Sequence, residues 1–261
     1  MNQETIITVD NMTARYGDRL VLDDLSFTVN RGEIFVILGG SGCGKSTMLK
    51  HMIGLYKPYS GDIRIGDASV VTTQGADRDA LIRRFGVMYQ SGALFGSMTL
   101  LENICLPLEE FTDLGKEARE LIALMKLSLV GLADSAGLMP SEISGGMKKR
   151  AAIARAMALD PEILFLDEPS AGLDPITADE LDELIVQLSR TLKITFVIVT
   201  HELPSIYKIA DRIIMLDGRT KKIIAEGNPA ELRETAEDEY VRNFFNRKSQ
   251  SAVTTGEVDE Q

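Results

Sequence analysis

Gly39-Gly40-Ser41-Gly42-Cys43-Gly44-Lys45-Ser46-Thr47 is the stretch whose reading decides the fold. Before it runs Ile34-Phe35-Val36-Ile37-Leu38, an apolar stretch that reads as a buried strand. After it comes Met48-Leu49-Lys50-His51-Met52-Ile53, which reads as the first turns of a helix. Strand, glycine-rich loop and helix form the setting in which the spacing G-x-x-x-x-G-K-[ST] binds phosphate. Glycines let the backbone wrap an anion without Cβ clashes. The loop amides and the helix N-terminus then point at that anion. In this arrangement Lys45 bridges the β- and γ-phosphates and the Ser46 hydroxyl ligates Mg²⁺. His51, farther along the same helix, reads as structural.

A second motif complements the first. Ile163-Leu164-Phe165-Leu166 reads as another buried strand, and Asp167-Glu168 closes it. Alone, such a pair is an ordinary solvated turn. Beside a phosphate loop, Asp167 is placed to reach Mg²⁺, and Glu168 to polarise an attacking water. Ser144-Gly145-Gly146-Met147 opens an alanine-rich helix through Ala151 to Ala158, with Ser144 as its N-cap. The two glycines leave amides of that helix end free for an anion. One nucleotide sandwiched between two copies of the chain accounts for two phosphate-seeking helix ends.

The remaining segments alternate strand and helix. Ile6 to Asp10 and Leu25 to Val29 read as strands, with Arg15-Tyr16-Gly17-Asp18 between them. Pro58 to Asp62 is a turn before a short strand at Ile63 and Ile65, and Phe85 to Tyr89 leads into Gln90. From Leu100 to about Leu132 the period is helical, and Leu121, Leu124, Met125 and Leu132 share a rough face. Pro175 to Arg190 reads as a helix and Thr195 to Val199 as a strand. The alternation predicts an α/β fold with a mainly parallel sheet and an inserted helical subdomain. The chain has 261 residues, 44% of them hydrophobic, and a net charge of −11, which disfavours nucleic-acid binding. No run of 18 apolar residues predicts a membrane span, and the start lacks the basic segment of a signal peptide. Two cysteines suit a reducing compartment.

In order along the chain, these pieces resemble the nucleotide-binding subunit of ABC transporters, over residues 5 to 247. The resemblance implies a P-loop NTPase (RecA-like) core, an N-terminal antiparallel β subdomain and an α-helical subdomain at about 91–160. It implies one nucleotide-binding domain over 1–247 and a polar tail at 248–261. It further implies ATP and Mg²⁺ as ligands and ATP hydrolysis as the activity. Tyr16 matches the adenine-stacking aromatic, and Gly39, Gly40, Ser41, Gly42, Cys43, Gly44, Lys45, Ser46 and Thr47 match Walker A. Gln90 matches the Q-loop residue that touches Mg²⁺ and water and senses the permease. Ser144, Gly145, Gly146 and Met147 match the signature that caps the γ-phosphate from the opposite subunit. Most of the family has Gln where Met147 stands, and a thioether barely hydrogen-bonds. Asp167 and Glu168 match Walker B. Ser170 to Asp174 matches the D-loop, which makes Asp174 a second trans contact, and His201 matches the switch histidine.

Gln90 to Phe95, Leu138 to Glu142, Asp174 to Thr177 and Tyr240 to Arg247 are similar to Mla-type phospholipid transport ATPases. That likeness implies a homodimer on the cytoplasmic face of the bacterial inner membrane, an integral permease and phospholipid cargo. An MCE-type substrate-binding protein and a small accessory subunit are candidate further partners. The permease groove is expected at Leu94, Phe95 and Met98. Tyr240, Phe244 and Phe245 form an aromatic face, expected either on the chain's own domain or against a second copy or accessory subunit. The alternatives are a single-domain ABC ATPase of metal-cluster assembly, a transporter of a non-lipid solute, and a small-molecule kinase. The signature helix start and the D-loop argue against the last.

Overall fold

A computed structural model describes residues 4–246, so the polar tail expected at 248–261 lies outside them. Two sheets organise the chain. In chain order the elements are β1 (Thr5–Tyr16), β2 (Arg19–Asn30), β3 (Ile34–Gly39), α1 (Lys45–Met52), β4 (Ser60–Ile65), β5 (Ala68–Ser69) and α2 (Gly75–Ile82). Then follow β6 (Phe85–Met88), α3 (Leu100–Phe111), α4 (Lys116–Leu129), α5 (Gly145–Ala156), β7 (Ile163–Asp167) and α6 (Pro175–Leu192). The described chain closes with β8 (Thr195–Val199), α7 (Leu203–Ile209), β9 (Arg212–Leu216), β10 (Ile223–Gly227), α8 (Pro229–Thr235) and α9 (Glu239–Phe245). The smaller sheet, ordered β2-β1-β4-β5, is antiparallel. The larger, ordered β10-β9-β3-β8-β7-β6, is parallel except at β10.

β3 shows why the apolar runs are continuous. All six of its residues are buried. Ile34, Val36 and Leu38 face a core built with α3 to α7 and α9, while Phe35 and Ile37 face a second core shared with the small sheet and α1. A parallel strand covered on both faces has no polar side to alternate with. Phe35 stacks on Phe27 of β2, with ring centroids 5.5 Å apart, and so joins the two sheets. β7 and β8 are fully buried for the same reason.

The helices over the first core begin with recognisable caps. Thr99 and Glu102 form a reciprocal capping box at α3, Ser144 caps α5 and Asp174 caps α6. α5 lies tight against β6, because a Cβ on Gly86 would stand 1.9 Å from the Ala156 carbonyl oxygen. At α4 the face shared by Leu121, Leu124 and Met125 is the outer one. Leu132 is buried, but Leu121, Leu124 and Met125 are exposed, at 62%, 39% and 60%. The helix instead buries Ala123, Leu127 and the Lys126 side chain. Helical periodicity identifies an apolar stripe but not which body covers it. Among the described residues, no helix is long and apolar enough to cross a membrane.

Candidate functional site

The glycine-rich loop leaves the C-terminal end of β3 and enters α1 at Lys45. Gly39 and Gly44 have φ of +150° and +110°, and a Cβ on Gly39 would come within 2.4 Å of the Leu216 carbonyl oxygen. Only glycine satisfies both demands there. Lys45 is buried, and its Nζ donates to the carbonyls of Gly39 and Gly40 at 2.9 and 3.2 Å. The loop rims a cavity of about 660 Å³. Gly39 to Gly42 and Gly44 to Thr47 line it, joined by Tyr16, Gln90, Glu168 and His201. Cys43 does not: its side chain is buried behind the loop, where burial raises the thiol's pKa. At Cys43 only the backbone remains to serve an anion.

Tyr16 stands at the mouth, half-exposed, edge-on to Tyr56 and 3.4 Å from the Thr47 hydroxyl. His51 is buried behind, its Nδ1 2.7 Å from the Thr47 carbonyl, as a structural histidine would be. Ser46 Oγ donates to Asp167 Oδ1 at 3.3 Å. Burial raises the Asp167 pKa, and the Ser46 hydrogen bond opposes that. No cluster of three or more His, Cys, Asp or Glu that could hold a metal exists among the described residues. A hydroxyl and one carboxylate, with Gln90 beside the same cavity, are a hard-oxygen set that suits Mg²⁺ when substrate phosphates complete its shell.

Glu168 follows β7 at the bottom of the cavity with φ of +48°, a left-handed conformation uncommon outside glycine. Its amide donates to the Val199 carbonyl, and its Oε1 lies 2.8 Å from His201 Nδ1. Its Oε2 is buried with no hydrogen-bond partner among the described groups. A carboxylate that lines the cavity and is held by an imidazole has the chemistry of a proton acceptor.

Ser144, Gly145, Gly146, Met147 and Asp174 do not line this cavity. They lie together elsewhere. A Cβ on Gly145 would meet Leu173 at 3.6 Å, and one on Gly146 would meet Thr177 at 2.4 Å. Ser144 Oγ accepts from the Met147 amide, and Asp174 accepts from the amides of Ile176 and Thr177. Ser144, Gly145 and Asp174 are exposed. The two halves expected of the site are therefore separate within one chain.

The segment from Gln90 to Thr99 is pinned from behind by side chains that the sequence reading missed. Fully buried Asn103 donates to the carbonyls of Phe95, Met98 and Thr99 and accepts from the Phe95 amide. Arg155 donates to the Gly92 and Ala93 carbonyls at 3.0 and 2.7 Å. Lys149 is buried, which lowers its pKa, and donates to the carbonyl of Gln90. In sequence it sits in a basic run, Lys148-Lys149-Arg150, whose charge gives no sign of burial. Leu94 packs on the helical core, Phe95 edges an apolar cavity of about 430 Å³ with Pro107 and Phe111, and Met98 edges a different cavity. The expected single groove is thus divided. The aromatic face of α9 docks on its own domain: Phe245 is buried, and Tyr207 donates to its carbonyl. Phe244 reaches the nucleotide-loop cavity, a placement no local pattern announces.

Residues 22–171 match the family described as ABC transporter. The chain is 38% identical over 253 residues to the intermembrane phospholipid transport system ATP-binding protein MlaF of Haemophilus influenzae, covering 97% of this chain and 94% of that protein. It is 38% identical over 240 residues to the probable ribonucleotide transport ATP-binding protein mkl of Mycobacterium tuberculosis, covering 92% of this chain and 66% of that protein. Among solved structures, a dimeric ATP-binding cassette in a post-hydrolysis state, bound to ADP and Pi, superposes with a TM-score of 0.77 at 30% identity. That match covers 85% of this chain and 98% of the other.

Proposed function

This chain belongs to the ABC transporter ATPase family, and from that premise we propose that it spends ATP on moving phospholipid through a partner permease. The observation that carries the hydrolytic half is the His201–Glu168 pair at 2.8 Å, facing the same cavity as the phosphate loop. Tyr16 stacks on adenine, the loop amides wrap the phosphates, and Lys45 exchanges its carbonyl contacts for the β- and γ-phosphate oxygens. Ser46, Asp167 and Gln90 would hold a magnesium ion, which would supply positive charge against the phosphates. Glu168 takes a proton from the water as the water attacks the γ-phosphorus, and ADP leaves. His201 holds Glu168 in place and contacts the γ-phosphate.

The signature residues Ser144, Gly145, Gly146 and Met147, with Asp174, serve the site of a second copy. The exposure of Ser144, Gly145 and Asp174 away from their own chain's cavity supports this, as does the dimeric neighbour. We take 1–247 as one nucleotide-binding domain with a helical subdomain at about 91–160. The apolar cavity beside Phe95 is the seat we assign to a short permease helix. On this reading the chain sits peripherally on the cytoplasmic face of the inner membrane, with an MCE-type protein and a small accessory subunit as further partners.

The phospholipid reading draws on the MlaF identity, which spans nearly both chains. A second reading, a non-lipid solute, draws on equal identity to a protein named for ribonucleotide transport. Glu168→Gln is expected to bind ATP and retain it while turnover falls about 10²- to 10⁴-fold. Turnover at wild-type speed would remove Glu168 from the role. The native complex, reconstituted in liposomes with labelled phospholipid and separately with ribonucleotides, decides the cargo. ATP-dependent movement of nucleotide without lipid selects the second reading.

A further inference from the structure

β6 and β7 are neighbours in the large sheet, with Met88 opposite Leu166. Beyond their ends the chain diverges, one branch to Gln90 and the other to Glu168. The Lys149 ammonium rejoins them: its Nζ lies 2.5 Å from the Gln90 carbonyl oxygen and 3.1 Å from that of Glu168. The side chain is 7% exposed and reaches this point from the second turn of α5. Two close approaches fix the aim of that helix. Its end abuts Gly86 of β6, and its Lys148 carbonyl and Ala152 lie 3.5 Å from where a Cβ on Gly92 would stand. Burying a lysine ammonium is costly unless its donors are matched, so its geometry is not incidental.

We propose that Lys149 is a positioning residue for hydrolysis, setting the pose of Glu168 by tying that residue's carbonyl to the loop that carries Gln90. Glu168 sits at φ +48°, and such conformations persist only when their surroundings hold them. Three contacts act on its backbone: the Val199 carbonyl at the amide, and the Ala171 amide and Lys149 at the carbonyl. Of these, only Lys149 also grips the Gln90 segment. A displacement of that segment therefore reaches Glu168 through the backbone, independently of the Gln90 side chain. Arg155, one and a half turns farther along α5, holds Gly92 and Ala93 and edges the apolar cavity beside Phe95. The signature helix thus grips the start of the segment at two points while touching the carboxylate's backbone. The inference rests on the reading of Glu168 as the proton acceptor.

The test uses the full chain and four variants: Lys149→Met, Lys149→Arg, Lys149→Ala and Glu168→Gln. Lys149→Met keeps the length of the stem and removes the donors. We expect its KM for ATP to stay within about twofold while kcat falls at least about tenfold, the scale of a small misplacement at a reacting centre. Lys149→Arg should retain more activity than Lys149→Met. Propylammonium should restore part of the Lys149→Ala rate, which a loss of packing would not allow. A wild-type kcat in Lys149→Met, with Glu168→Gln inactive, overturns the inference alone. So does a joint loss of kcat, ATP binding and melting temperature without rescue by the amine, which would mark a packing role. Wild-type turnover in Glu168→Gln removes the reading of the site and this inference with it.

Discussion

Asp182 on α6 is almost wholly buried, hydrogen-bonds Ser205 at the start of α7, and leaves Oδ1 without a partner. Burial pushes its pKa up to about 6. The fold therefore favours the neutral acid. The penalty is complete above that value and vanishes as pH falls through it towards the unfolded value near 3.9. Its size at neutral pH is on the order of 2–3 kcal/mol. Asp182→Asn should raise the melting temperature at pH 8 and change it little at pH 3.5, below the unfolded value, measured by calorimetry. An unchanged melting temperature at pH 8 would mean that the buried carboxylate is solvated. Met147 invites a different substitution. It is half-buried, packs on the helical core, and uses its amide, not its sulfur, to reach Ser144. Met147→Leu conserves volume and apolarity, so steady-state ATPase should remain within about threefold of wild type. A larger loss would assign a task to the thioether.

Gly86 sets how closely α5 approaches the sheet. In Gly86→Ala the new methyl would meet the Ala156 carbonyl, a backbone atom that cannot rotate away. We expect a loss of about 1–3 kcal/mol, together with reduced turnover, because Lys149 and Ser144 ride on the same helix. Phe245→Ala should cost about 3–5 kcal/mol, read by urea unfolding, since α9 anchors to its own domain there. Which of these features could be read beforehand follows from burial. β3, β7 and β8 were legible because strands covered on both faces are uninterrupted apolar runs. The phosphate loop was legible because its glycines answer to backbone geometry. The apolar stripe of α4 was visible, but Leu121, Leu124 and Met125 lie on the outer side, since period alone does not name the covering body. Lys149 was illegible for the opposite reason: charge predicts water, and only the fold shows two carbonyls waiting for it. Phe244 at the nucleotide cavity depends on where α9 docks, 200 residues after the loop it meets.

On the proposed reading, in which Ser144 serves the cavity of a second copy, catalysis is a property of pairs. Lys45→Ala and Ser144→Arg chains should each be inactive alone. Mixed, they can form a dimer in which one of two sites has every part intact, and ATPase activity should partly return. Mixed dimers, verified by differential tagging, that stay inactive would argue for sites complete within one chain. The placement of β3 adds something about time. It lies between β9 and β8, inside the larger sheet, with a separate core against each face. Its amides can meet solvent only if both cores part, so local fraying offers them no route. In deuterium labelling, the amides of 35–38 should therefore be among the last to exchange, at the rate of global unfolding. The glycine loop starts where that strand stops. A segment supple enough to wrap an anion is thus anchored to a strand expected to open only when the whole domain does.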